Sequence, residues 1–361
     1  MTNHRNKSET AESHKTPCPK NRVNITRRQL GVQASVTALR HSQDGAERAV
    51  VGLSRTQDAR RAYRDTRLVS MSPDLELAFR LADAADAISS PPFRSEGLQV
   101  EIKGDGSPVT VVDKAVETAM QQMVLAEHPD DSFLGEEIGA SGSGPRRWIF
   151  DGIDGTHNYA AGHPAWATMI ALEVDGQITV GVVSSPHGGF RWYAERGGGA
   201  WKLTTRPVTD GVTSFDGLEP VALKCTTTDR WRDSTTMCVP PAGVLLGWRS
   251  PLAAALDHGI PLLSRTYAYY GAAVAEGGVD ATIIVNGGPW DFAANTVIVE
   301  EAGGFYCDLW GGRRLDTTSI VFTNGLLTDE ILAIAAAHRP EVADAAKRNP
   351  DWKPAPRRAE D

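Results

Sequence analysis

The sequence predicts a layered α/β fold in which helices and strands alternate around an antiparallel insert. Three observations predict it: an amphipathic helix with a clear start at Ser72-Pro73-Asp74, an Asp175-Gly176 pair between two β-rich runs, and a later strand-helix-strand-helix half. Ser72 suits an N-cap, Pro73 the first turn and Asp74 the positive helix start. Leu77, Leu81, Ala84 and Ile88 then share one helical face. A second helix is expected over 113–127, marked by Val116, Met120, Met123 and Glu127. Short apolar strands follow at 132–134 and 148–151, then a meander over 168–174, 178–184 and 191–195. Asp-Gly between two such runs is a strong hairpin signal. After a Gly/Pro-rich stretch come helices near 267–277 and 290–303. There is no internal repeat.

The chain has 361 residues, 41% of them hydrophobic and 23% charged, which is ordinary globular composition with ample core. No run of 18 apolar residues occurs, which excludes a spanning helix. The four cysteines (Cys18, Cys225, Cys238, Cys307) form no CxxC pair, which argues against a disulfide framework or structural zinc and for a reducing cytoplasm. The net charge of −8 is unevenly spread: residues 1–70 hold 14 basic and 6 acidic residues, the rest 23 basic and 39 acidic. The basic arm has no sustained period and low hydrophobicity, so it reads as a disordered extension, with Met71 as a natural start. Thr26-Arg27-Arg28-Gln29-Leu30 resembles a twin-arginine signal only weakly, because Gln33 and Arg40 break the apolar stretch behind it. The arm lacks interleaved aromatics, which argues against nucleic acid as a partner. Residues 72–337 are expected to form the folded domain and 338–361 a polar tail.

The informative residues are acids at the ends of strands. Gly135-Glu136-Glu137 closes one strand, Asp151-Gly152-Ile153-Asp154-Gly155-Thr156 closes the next, and Trp290-Asp291 opens a distant helix. Such acids repel one another unless a cation neutralises them. Oxygen-only ligands select a hard cation, and Mg²⁺ is usually shared among a few carboxylates, waters and a substrate phosphate. Asp151 and Asp154 can face one metal or bridge two, an arrangement suited to phosphoryl transfer. Gly155 allows close backbone approach, and N–H groups at a helix start near His157 suit phosphate. The Thr156 hydroxyl could orient an attacking water beside Glu136 as base. Taken singly, each piece has an ordinary reading as an acidic surface pair, a calcium-binding turn or plain loop, and an N-cap.

Together they resemble one family. Asp105-Gly106-Ser107-Pro108-Val109-Thr110-Val111-Val112-Asp113, Gly135-Glu136-Glu137, Trp148-Ile149-Phe150-Asp151-Gly152-Ile153-Asp154-Gly155-Thr156, and Trp290-Asp291-Phe292-Ala293-Ala294 with Glu301-Ala302-Gly303-Gly304 are similar, in order and spacing, to the inositol monophosphatase superfamily. The resemblance covers roughly residues 72–337. It implies an αβαβα sandwich of the inositol monophosphatase and fructose-1,6-bisphosphatase type, two or three Mg²⁺ ions, Li⁺ sensitivity and a homodimer. It also implies Glu136, Asp151, Asp154, Asp291 and the Ile153 carbonyl as metal ligands, and Glu136 with Thr156 as the pair activating water. Thr110 and Asp113 would support that pair. Asp154, Gly155, Thr156 and Asp291 would meet phosphate or substrate, with Lys103 in an electrostatic role.

The implied activity is Mg²⁺-dependent hydrolysis of a small polyol or amino-alcohol phosphate, inositol-phosphate-like or histidinol-phosphate-like. A 3′(2′),5′-bisphosphate nucleotidase or a catalytically silent binding protein of the same superfamily are the alternatives. Within the superfamily, the runs 166–172 and 191–194 most resemble bacterial histidinol-phosphate phosphatases, although Trp192-Tyr193 suits a core or interface better than a substrate platform. Two departures stand out. Gly152 replaces a usual Pro, and Ile284 stands where a Glu seven residues before the final Asp would bind a substrate hydroxyl or amine.

Overall fold

The structure, a computed structural model, describes residues 71–104, 107–205, 214–239, 269–285 and 287–338. The expectations for the basic arm and for the tail beyond His338 lie outside these residues, as do Cys18, Asp105, Gly106 and Asn286.

Helix α1 (Pro73–Ser89) begins as its sequence dictates: the Ser72 hydroxyl accepts the Leu75 N–H at 3.2 Å, and Pro73 occupies the first turn. Leu77 and Leu81 are fully buried as expected, but the stripe runs through Ala78, Ala82 and Ala85 rather than Ala84 and Ile88. Small residues there let α1 lie close against its neighbours. Strands β1 (Val100–Ile102) and β2 (Pro108–Thr110) form a small antiparallel pair leading into α2 (Val111–Glu127). That helix starts two residues earlier than its periodicity suggests, because Thr110 and Asp113 close a capping box. Its core stripe is Val112, Val116, Met120 and Val124; Glu127 points outward and pairs with Arg80.

β3 (Ser132–Gly135), β4 (Gly139–Ser141), β5 (Arg146–Asp154), β6 (Ala167–Val174), β7 (Gln177–Ser185), β8 (Phe190–Glu195), β9 (Ala200–Thr204) and β10 (Val221–Ala222) form an eight-stranded sheet. Its order is β10-β9-β8-β7-β6-β5-β3-β4, and only β3 and β5 run parallel. The β6–β7 hairpin turns at Asp175-Gly176, both with positive φ (49° and 79°), as a mirror-image turn requires. A second sheet takes the order β11 (Thr236–Val239), β12 (Ala281–Val285), β14 (Ser319–Thr323) and β13 (Phe305–Cys307). Helices α4 (Tyr270–Ala275), α5 (Pro289–Glu301) and α6 (Thr328–Ala337) complete the described elements, together with the one-turn α3 (Thr156–Ala160) and a 3-10 turn at Trp231–Asp233.

Strand alternation sorts the core into layers. On β6, Ile170 and Leu172 pack with α1 and α2, while Met169 and Ala171 face α4 and α5. On β12, Ile284 faces the same middle helices, and Ile283 packs with Leu327, Ile331 and Ala335 near α6. The result is helix, sheet, helix, sheet, helix, the expected five-layer sandwich. Trp192 is 1% exposed, a core residue and no platform. Arg191 beside it is equally buried, held at 2.7 Å by Asp86 and by Asp83. Among the described residues no helix is long and apolar enough to cross a membrane.

Candidate active site

The parallel β3–β5 pairing builds the site. Register matches Gly135 with Phe150, so the chain leaves both strands at the same end, with Glu136 and Asp151 as the next residues. Strand β5 does not stop at Asp151 as expected; it continues to Asp154 through a register break between those two acids. That irregularity lets both aspartates, an odd number of residues apart, address one place. Asp291 arrives from the first turn of α5, where its carboxylate accepts the Gly288 N–H at 2.6 Å. Ligand oxygens of Asp151, Asp154 and Asp291 all lie within 4.8 Å of one another.

Electrostatically, the cluster is unfavourable as it stands. Burial, then Glu136 and the neighbouring aspartates, push Asp151 well above the usual carboxylate range. Burial and Asp291 do the same to Asp154, against a hydrogen bond from Tyr270. Burial and Glu136 raise Asp291 to about 7, against the hydrogen bond it accepts from the Gly288 N–H. One oxygen of Asp154, Oδ2, is buried without a partner. Converging oxygens, mutual repulsion and an orphaned acceptor are what a hard cation would relieve, so the donor set fits Mg²⁺. Glu136 stands slightly apart, its Oε1 2.6 Å from Lys103 Nζ, which also pairs with Glu137.

The supporting residues come from α2. Asp113 Oδ2 accepts from the Thr110 N–H at 2.9 Å and the Thr110 hydroxyl at 2.5 Å, while Oδ1 lies 3.0 Å from the Thr156 hydroxyl. The Thr156 hydroxyl is equally close, at 3.0 Å, to the Ile153 carbonyl. Gly155 has a φ of 82°, the left-handed conformation glycine adopts freely, and turns β5 into α3.

Two residues escaped the sequence reading. Glu117, fully buried and one turn after Asp113, accepts the backbone N–H groups of Glu137, Ile138 and Gly152. Burial raises its carboxyl to about 7. Its only advance signal is a carboxylate at i+4 from Asp113 on the helix already identified. Tyr270, from α4, places its hydroxyl 2.9 Å from Asp154 Oδ1 across 116 residues of sequence, and no local pattern announces it. Gly152, which stands in place of the usual Pro, has a definite task, because its N–H serves Glu117.

Ile284 is 3% exposed and lies on the same face of β12 as Thr282, whose hydroxyl donates to the Tyr270 carbonyl at 3.0 Å. Neither nearby acid takes the place of the missing Glu. Glu276 is paired with Lys202 at 2.6 Å and with the Trp192 indole N–H; Asp280 accepts from Thr226 and from the Thr235 N–H.

This geometry has relatives. A profile of the inositol monophosphatase family matches residues 70–341. A histidinol-phosphatase of Streptomyces coelicolor is 38% identical over 271 residues, covering 72% of this chain and 95% of its own. A histidinol-phosphatase of Mycobacterium tuberculosis is 37% identical over 265 residues, covering 72% of this chain and 96% of its own. The crystal structure of the extragenic suppressor protein suhB from Bartonella henselae superposes with a TM-score of 0.61 at 27% identity, covering 73% of this chain and 98% of that one. Metal dependence is general in this family. The chain therefore belongs to the inositol monophosphatase family and is a phosphatase that hydrolyses phosphate monoesters.

Proposed function

We propose that the protein uses two or three Mg²⁺ ions to hydrolyse the phosphate ester of a small alcohol, releasing the alcohol and inorganic phosphate. The observation that carries this is the convergence of Asp151, Asp154 and Asp291 within 4.8 Å, with one Asp154 oxygen unpartnered. Those three carboxylates, Glu136 and the Ile153 carbonyl would hold the ions, which supply Lewis acidity toward the phosphoryl and leaving oxygens.

The rest falls to the chain's own groups. The Thr156 hydroxyl has one proton; given to Asp113, it leaves lone pairs free to accept a hydrogen bond from the attacking water. Glu136 takes that water's proton, and Lys103 beside it favours the carboxylate form needed for this. Thr110 and Asp113, joined in the capping box, hold Thr156 in place. The backbone N–H groups of Gly155 and Thr156 meet the phosphate, with Asp154 and Asp291 bordering the substrate. As the water oxygen bonds to phosphorus, the ester P–O bond breaks and the departing alkoxide takes a proton from solvent to become the free alcohol, while Glu136 returns to solvent the proton it received.

The alcohol end is where this chain differs. Ile284 offers no acceptor, Glu276 and Asp280 are engaged elsewhere, and the Tyr270 phenol already occupies an oxygen of Asp154. These features support a substrate whose alcohol part is apolar or differently functionalised at that end. The names of two relatives favour a second reading, histidinol phosphate itself. A phosphate-release screen with Mg²⁺ over histidinol phosphate, inositol phosphates, aminocyclitol phosphates, sugar phosphates and adenosine bisphosphate separates the readings. Release above a no-enzyme control is expected for at least one monoester, with less for histidinol phosphate and inositol 1-phosphate than for a related ester. Histidinol phosphate as best substrate would establish the second reading; adenosine bisphosphate as best would replace both. Li⁺ inhibition, a homodimer and a cytoplasmic location complete the proposal, the last supported by three buried free thiols at Cys225, Cys238 and Cys307.

A further inference from the structure

Glu117 has no role in the chemistry above, yet it touches more of the site's backbone than any ligand does. Its Oε2 accepts the N–H groups of Glu137 and Ile138, each at 3.0 Å, and its Oε1 accepts that of Gly152 at 3.3 Å. The first two amides belong to the segment carrying Glu136, and the third lies between Asp151 and Asp154. One side chain thus spans both acid-bearing segments. It is 0% exposed, so no water replaces these bonds. The fit is close on both sides. A Cβ at Gly135 would run into Glu117 Oε2, and one at Gly152 would lie 3.3 Å from Glu117 Cγ and 2.8 Å from the Asp113 carbonyl oxygen. Proline at 152 could not donate at all. Asp113, one turn earlier on α2, holds Thr110 and Thr156 in the same manner.

We propose that Glu117 is a positioning residue that fixes the spacing between Glu136 and the Asp151–Asp154 pair through three backbone N–H bonds. The inference rests on the reading of these acids as metal ligands. Carboxylate geometry decides this role. In Glu117→Gln one of the two oxygens becomes an NH₂ that must face a backbone N–H, so volume is kept while at least one bond is lost.

The test uses the full chain stripped of metal, titrated calorimetrically with Mg²⁺ or Mn²⁺ alone. Glu117→Gln should lower metal affinity by about 10-fold or more, the usual scale for groups that orient ligands. kcat should fall with it, while KM at saturating metal stays near the wild-type value. Glu127→Gln, on the same helix but paired with Arg80 at the surface, is the matched control and should change neither. Wild-type amide exchange gives an independent readout that needs no variant. The Glu137 and Ile138 amides lie outside any strand, so strong protection there is expected only if Glu117 holds them. Unchanged metal affinity in a folded Glu117→Gln, or rapid exchange of both amides in wild type, would overturn the proposal. Neither readout needs a substrate, so a wrong assignment of the reaction would leave both intact.

Discussion

Replacing Thr156 by Ala removes a single hydroxyl and separates two roles that its geometry allows. The hydroxyl lies 3.0 Å from both Asp113 Oδ1 and the Ile153 carbonyl, so its one proton serves only one of them at a time. Asp113 keeps both donors from Thr110 when that proton is lost. Thr156 is partly exposed, so water can replace the bond, and the structural cost should be near 1 kcal/mol, the scale of one net hydrogen bond. The catalytic cost should be larger. Losing one group that orients a proton-transferring water lowers kcat by about 10²-fold, or about 2.7 kcal/mol in the barrier. Phosphate release under saturating substrate gives kcat, a Mg²⁺ titration of activity gives the metal midpoint, and a thermal scan gives stability. kcat should drop about a hundredfold while the Mg²⁺ midpoint barely moves, because no carboxylate has gone. Thr156→Ser should recover most of the rate. Wild-type kcat in Thr156→Ala would refute the assignment and leave Thr156 as a residue that merely starts α3.

Chelation should abolish activity, Mg²⁺ should restore it, and millimolar Li⁺ should inhibit; full turnover in excess chelator rules out the metal reading. Ile284→Glu should raise kcat/KM for histidinol phosphate or inositol 1-phosphate by about 10- to 100-fold, the worth of about 1–3 kcal/mol for a matched polar contact, at unchanged Mg²⁺ dependence. Efficient wild-type turnover of histidinol phosphate that Ile284→Glu leaves unaltered would show that another group does this work. Arg191→Leu strands the buried Asp86 carboxylate and should cost about 3–5 kcal/mol at pH 7.5 in a denaturant melt. Burial already raises Asp86 to about 6 in the fold, from 3.8, so stability falls as pH rises through that window. Without the guanidinium the carboxyl titrates higher still, so the deficit of Arg191→Leu should shrink toward pH 5, and an equal deficit at both pH values would contradict this account.

Much of this was legible in the residues because the decisive features are local. The Ser72-Pro73 cap, the Asp175-Gly176 turn and the acids at the ends of β3 and β5 each announce themselves within a few positions. What the sequence concealed is tertiary. Asp154 lies beyond the expected end of its strand because pairing with β6 at Ala167 carries β5 through an irregularity that no period describes. Thr110 and Asp113 extend α2 backward through a capping box, which outweighs the weak helix preference of Val111. Glu127 sits on the helical period yet faces solvent, since the packed stripe runs through Val124 instead. Tyr270 reaches Asp154 only because the middle helix layer closes over the sheet end, a contact 116 residues long. Glu117 is recognisable only afterward, once its three amides are seen.

The same long reach governs when the cluster can exist. Asp151 and Asp154 sit in the first sheet, while Asp291 waits on α5, a helix packed between the two sheets and reached only late in the chain. During synthesis the early strands can pair before α5 has emerged, but the third acid cannot yet join them. Ion capture is thus a late event, tied to closure of the whole domain rather than to any hairpin within it. By linkage, whatever stabilises the filled cluster stabilises the entire sandwich, by RT ln(1 + [L]/Kd). Cells starved of the ion would then hold a looser, more readily degraded population of this protein, and its abundance would track ion supply even where its turnover goes unmeasured.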